Sequence, residues 1–250
     1  TKLTQKQTDY DVICPSDYMI ERLKEKDLLE KLWDADQLEE KVVEELNKRL
    51  VEGETLPERE EVVSFRHNTS DFIMGATSYL DGYYVPYMWG TMGILYNLDL
   101  LHEDHQTLEE DGHPAFVKSW KALFDPEHKD FYENKIWMKI NMRDSFAIGS
   151  VYAMRDMDLT LEEKLNVKDA TSVGEVGKVL KAQKQSSVLK GYEGETAKPE
   201  LAMGGRNSAA MSLQWSGDAV WAMAEGAATE DSKGRAKTAS APNLNYYVPD

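Results

Sequence analysis

At two places a short apolar stretch passes through a tight turn straight into a helical pattern, and this order constrains the fold more than any single residue does. Tyr10-Asp11-Val12-Ile13-Cys14 reads as a short buried strand, Pro15-Ser16 as a turn, and Ser16 as a helix N-cap. In the helix that follows, Met19, Ile20, Leu23, Leu28, Leu29 and Leu32 trace an apolar stripe. Far along the chain Met211-Ser-Leu-Gln-Trp215 reads as a strand that breaks at Ser216-Gly217-Asp218 into a helix carrying Ala219, Val220, Ala222 and Met223. Strands alternating with helices imply α/β layers with mainly parallel strands. Ligands of such sheets bind beyond the carboxyl ends of the strands, so the turns into helices are where function is to be sought.

The stretches between these units fit the same pattern. Leu38, Val42, Leu46 and Leu50 predict an amphipathic helix ended by Gly53, followed by a mostly loop region over 54–82 with one short element around Phe72 to Met74. An extended stretch opens at Tyr83-Tyr84-Val85-Pro86 and runs to Tyr96. Then come a helix around Trp120 to Phe124, a strand over Lys135 to Ile140, a helix from Arg143 to Met154, and two helical stretches between Leu161 and Leu189. A Gly, Ala, Ser and Thr-rich loop covers 226–241, and the chain closes on an extended piece from Leu244 to Asp250. The tetrapeptide Tyr83-Tyr84-Val85-Pro86 recurs as Tyr246-Tyr247-Val248-Pro249, as two strand ends or two crossings between lobes would.

Composition removes several function classes. The chain has 250 residues, room for one large or two modest domains. No apolar run approaches the ~20 residues that a membrane-spanning helix needs. A formal charge of −16 repels nucleic acid and favours cationic partners. The one cysteine, Cys14, excludes an internal disulfide framework, and its apolar neighbours predict a buried, inert thiol. The first ten residues are polar and lack the apolar core of a signal peptide, as in a cytoplasmic protein or a processed or partial chain. No nucleophile elbow, Ser-His-Asp arrangement, Walker loop or dinucleotide fingerprint occurs, so neither an enzyme nor a cofactor is expected. His102-Glu-Asp-His105, with Asp111 and His113, offers the one alternative, a metal-binding or hydrolytic loop, but its spacing matches no zinc signature and a solvated polar loop is the simpler reading.

Five strings give the chain a resemblance. They are Asp9-Tyr-Asp-Val-Ile-Cys-Pro-Ser-Asp-Tyr18, Val85-Pro-Tyr-Met-Trp-Gly-Thr91, Ser119-Trp-Lys-Ala-Leu-Phe-Asp-Pro126, Asn141-Met-Arg-Asp-Ser-Phe146 and Trp215-Ser-Gly-Asp-Ala219. In this order they resemble the spermidine/putrescine-binding proteins of bacterial ABC importers. The resemblance implies a two-lobed periplasmic-binding-protein type II fold with the first lobe incomplete: residues 1–92 as partial first lobe and first crossover, 93–244 as second α/β lobe, and 245–250 as return crossover. It also implies a polyamine ligand, spermidine or putrescine, held in a cleft between lobes, an ABC permease as partner, and an extracytoplasmic location. The membrane would be reached only through that permease or through a lipid anchor that this chain lacks.

Carried over by matching motif, Ser16 and Tyr18 become cleft residues of the first lobe, and Asn141 and Asp144 match acidic ligand contacts of the family. Trp215 matches an aromatic residue that packs on the alkyl chain. The chain departs from the family at Asn141, which cannot neutralise an ammonium. The chemistry is sound in itself, because a polyamine presents ammonium groups separated by methylenes and needs carboxylates for the former and aromatic faces for the latter. Each of these residues also has a plainer reading: Asp144 as a helix N-terminal charge or partner of Arg143, Trp215 as core, Ser16 as a cap. Tyr87 and Trp89 read as packing near the crossover, Asp218 as a helix cap, and Arg143 as a residue that orients Asp144. A truncated segment that binds nothing is the remaining alternative.

Overall fold

The computed structural model describes residues 10–32, 77–80, 82–228 and 241–249. The helix expected over 38–50, the element near Phe72 and most of the 226–241 loop lie outside the described residues. The chain divides into two compact units, Thr1–Trp89 and Gly90–Asp250.

In the first unit, helix α1 spans Asp17–Lys24. Ser16 takes the N-cap position with extended backbone, and its carbonyl accepts from the Met19 and Ile20 amides, but its side chain makes no capping hydrogen bond. The expected apolar stripe outruns the helix, which ends before Asp27, a residue with φ of 51° that breaks the helical path. Leu23 is the buried residue of α1. The expected strand over Tyr10 to Cys14 does not form: these residues are irregular, Val12 is 87% exposed and Cys14 is exposed rather than buried. A strand exists only when a neighbour takes its amides and carbonyls, and among the described residues none pairs with this segment. Tyr87 and Trp89, expected to pack, are also exposed.

The second unit is a five-stranded sheet in the order β3-β2-β4-β1-β5, with β1 Met92–Asn97, β2 Ile136–Lys139, β3 Leu189–Glu193, β4 Met211–Trp215 and β5 Leu244–Tyr247. The β2 strand runs parallel to both β3 and β4, whereas β1 is antiparallel to β4 and to β5. The expectation of mainly parallel strands therefore needs one correction: β1 is reversed between two neighbours that share a direction. Its backbone is covered on both faces, which is why Ile94, Leu95 and Tyr96 are all fully buried and why the run reads as continuously apolar. Gly93 is required there, because a Cβ would sit 2.4 Å from the Tyr247 carbonyl oxygen and 2.7 Å from the Tyr246 ring.

Helices cover both faces. On one lie α2 Lys121–Phe124, α3 Met142–Ala153 and α5 Ala170–Gln185, over a core that includes Ile94, Tyr96, Ile136, Met138, Met211 and Leu213, with α4 Leu161–Leu165 set against α3. Here α3 approaches α5 closely at Gly149, where a Cβ would meet Leu180 at 3.1 Å. On the other face α6 Ala197–Met203 and α7 Ser216–Ala227 pack small residues, Ala197, Ala202, Ala219 and Ala222, against Leu95, Trp137 and Tyr246. Each fully buried aliphatic side chain contributes roughly 1.5–3 kcal/mol. The starts of α4 and α5 are fastened locally, by the Thr160–Glu163 capping box and by Asp169 accepting from the Ser172 amide at 2.9 Å. Among the described residues no helix is long and apolar enough to cross a membrane.

Candidate functional site

The neighbouring parallel strands β2 and β4 end side by side, and each turns directly into a helix, α3 after Lys139 and α7 after Trp215. This is the carboxyl edge where α/β sheets collect ligands. The α3 turn is built by its own residues. Asn141 Oδ1 accepts from the Arg143 amide at 3.0 Å, and Ser145 Oγ donates to the Lys139 carbonyl at 2.6 Å, tying the helix to the strand it leaves. The α7 turn is held to the residue that leads into β1: the Ser216 amide donates to the Thr91 carbonyl at 2.8 Å and the Thr91 amide to Ser216 Oγ at 3.2 Å.

These turns bring Asp144 and Trp215 together. Trp215 Nε1 donates to Asp144 Oδ2 at 3.2 Å, with Asp144 9% exposed and Trp215 39% exposed. Burial pushes the Asp144 carboxyl above its ordinary value, opposed by the Trp215 hydrogen bond and by Lys139 and Arg143 acting through space. Arg143 acts on the Asp144 carboxyl through space, and Trp215 bonds it directly. A desolvated carboxylate beside a partly open aromatic ring is suited to an ammonium group followed by an alkyl chain. Asn141 sits at the same turn, exposed, with its amide oxygen engaged as the α3 cap.

On the opposite face of the same edge Asp218 has a different environment. Its Oδ1 receives Lys198 Nζ at 2.8 Å and its Oδ2 receives Lys139 Nζ at 3.2 Å. Burial pushes the Asp218 carboxyl up, but the two lysine hydrogen bonds outweigh it and the group lies below its ordinary value. The cap expected at Asp218 is thus an ion triad, a pairing that sequence spacing could not have revealed because Lys139 and Lys198 lie on β2 and α6. Ser16 and Tyr18 belong to the first unit, at and just after the start of α1.

The histidine-containing loop takes a different course from a metal site. His113 Nδ1 is hydrogen-bonded to the Tyr96 hydroxyl at 2.8 Å, His105 Nδ1 to the Tyr132 hydroxyl at 2.7 Å, and His102 Nδ1 accepts from the Asp104 amide. His105 stacks on Phe116 with ring centroids 4.0 Å apart. Burial first, then the neighbouring His128 and His102, push the His105 imidazole below its ordinary value, as packing in an aromatic cluster requires. Among the described residues no group of three or more His, Cys, Asp or Glu side chains converges as a metal would require. Between β1 and α2 the chain makes three short 3-10 turns, with His102, His105 and His113 half-buried and residues 107–112 exposed to solvent.

The family model described as bacterial extracellular solute-binding protein matches residues 1–249. Among solved structures, the chain is similar to the spermidine/putrescine ABC transporter substrate-binding protein PotD from Streptococcus pneumoniae, crystallised with calcium and HEPES, at 22% identity and a TM-score of 0.59. That likeness covers 99% of this chain and 55% of the other, so the chain spans about half the length of the protein it resembles. No curated protein sequence matches it.

Proposed function

Because the chain belongs to the bacterial extracellular solute-binding protein family, we propose that it binds a polyamine, spermidine or putrescine, outside the cytoplasm and delivers it to the permease of an ABC importer, acting as a carrier and not as an enzyme. The observation that carries this reading is the pair at the carboxyl edge of the sheet, Asp144 buried and hydrogen-bonded by the half-open indole of Trp215. The structural neighbour, a spermidine/putrescine ABC transporter substrate-binding protein, supports the same ligand class. Asp144 takes an ammonium, Trp215 covers the adjoining methylenes, and Asn141 supplies a neutral contact. Ser16 and Tyr18 are the contacts proposed for the first unit, and residues 1–92, 93–244 and 245–250 are the proposed lobes and return crossover.

The test is calorimetric titration of the chain with spermidine and with putrescine, with tryptophan fluorescence followed in parallel. Saturable heat with a fluorescence change, both shifted to roughly 30-fold higher ligand concentration in Asp144→Ala, is the expected result. A thermal midpoint that rises with ligand concentration gives the same answer independently, since a ligand bound to the folded state stabilises it. Neither heat nor midpoint shift at millimolar polyamine would overturn the polyamine reading while leaving family membership intact.

A further inference from the structure

Lys139 has no part in binding a cation, yet it stands at the carboxyl edge where the cation is proposed to bind, and it is 8% exposed. A lysine is seldom so buried unless its charge is matched. Its match is Asp218, whose two oxygens are both taken, one by Lys139 and the other by Lys198. Lys198 is itself held a second time by Glu195 at 3.1 Å and lies 5.7 Å over the Trp221 ring. On this face of the sheet Trp137 of β2 is in register with Ser212 of β4, and two residues further along each strand come Lys139 and Gln214. Gln214 is 1% exposed, and among the described residues its Oε1 has no hydrogen-bond partner.

The two acidic groups of the edge are therefore not equivalent. Asp144 is bonded by a neutral indole, and Asp218 by two ammonium groups of the protein itself. A ligand ammonium reaching Asp218 would have to displace a lysine tethered beside it, which competes at high effective concentration. We propose that Lys139 and Lys198 are specificity-determining residues: they fill Asp218 with internal cations, so that the second unit takes one ammonium group of a ligand, at Asp144, and not two. This rests on the polyamine reading of the site and sharpens it by assigning the charge that one lobe recognises.

The experiment compares putrescine with butylamine, which share a four-carbon chain and differ by one ammonium. In the Lys139→Met/Lys198→Met double variant Asp218 is released, and the preference for putrescine over butylamine should rise at least about 10-fold over the wild type, the scale of one charge-assisted hydrogen bond. Adding Asp218→Asn to that background should return the preference to the wild-type value. An unchanged ratio in a folded double variant, or a gain that survives Asp218→Asn, would overturn the proposal. If the double variant does not fold, Lys198→Met alone frees one oxygen of Asp218 and should raise the ratio about 3-fold. If neither amine binds any of the proteins, the polyamine reading falls separately. The internal pairing is then judged by carboxyl carbon-13 titration, in which the Asp218 midpoint must rise when the lysines are removed; an unmoved midpoint would overturn it.

Discussion

Asp144 and Asp218 stand in the first turns of two helices that leave adjacent parallel strands of one sheet, and their surroundings drive them in opposite directions. Burial dominates at Asp144 and raises its pKa, whereas lysine hydrogen bonds prevail over burial at Asp218 and lower it. Helix position alone would have treated the two alike, since both gain from the N-terminal end of a helix dipole. The difference comes from the opposite face on which each side chain lies. Asp144 meets an indole from β4, and Asp218 meets lysines from β2 and α6. One carboxylate is thereby held by a neutral donor, and the other by two ammonium groups of the fold itself.

The largest expected effect separates these roles by stability. Asp218→Ala leaves Lys139 buried without its carboxylate and should lower unfolding free energy by about 3 kcal/mol in denaturant titration, with the ligand site otherwise retained. A loss below about 1 kcal/mol would mean that the triad is loose in solution. Next comes Asp144→Ala, which should weaken putrescine binding by about 2 kcal/mol, roughly 30-fold by calorimetry, without a comparable loss of stability. If both substitutions weaken binding equally, the division of labour is wrong. Smaller again is Trp215→Phe, which keeps a ring but removes the donor to Asp144. Affinity should fall roughly 5-fold, and the Asp144 titration should move further upward, because the indole hydrogen bond opposes burial.

The smallest effect is in the pH dependence of stability, and its sign differs between the two residues. Asp144 has its folded pKa raised, so its contribution to stability is present below the ordinary carboxylate range and is lost as pH rises through the raised value. Asp144→Asn should therefore stabilise the protein near neutral pH, with the gain fading on acidification. Asp218 has its folded pKa lowered, so it contributes stability above the ordinary range that is lost as pH falls through the lowered value. Asp218→Asn should destabilise near neutral pH, and the deficit should shrink in acid. Thermal melts across pH that show the same slope change for both variants would collapse the distinction.

Legibility differed sharply between the units. In the second, Met211–Trp215 is a strand that breaks into a helix at Ser216, Ile136–Lys139 lies within the expected strand, and α3 begins and ends within a residue of the expected limits. These elements have strong local signals, namely apolar runs of strand length, helical spacing and polar residues at the turns. The strand over Leu189–Glu193 and the helix over Ala197–Met203 went unread. Leu189-Lys190-Gly191-Tyr192-Glu193 has neither a continuous apolar run nor clean alternation, and it becomes a strand because β2 offers it a partner. In the first unit Tyr10 to Cys14 carries a good strand signal and no strand, for want of a neighbour among the described residues.

The sequence by itself determined the local units: where helices begin, where strands break into them, and that Asp144 and Trp215 stand at such breaks. These depend on interactions within a few residues, such as capping by Asn141 and the periodicity of apolar side chains. Tertiary structure alone decided that β1 runs against its neighbours, that the Trp215 indole meets Asp144 across 71 positions of chain, and that Lys139 reaches Asp218 across 79. Strand order and ion pairing follow from which faces pack together, and the charge a carboxylate can offer depends on the residues that packing brings to it and on the water it removes.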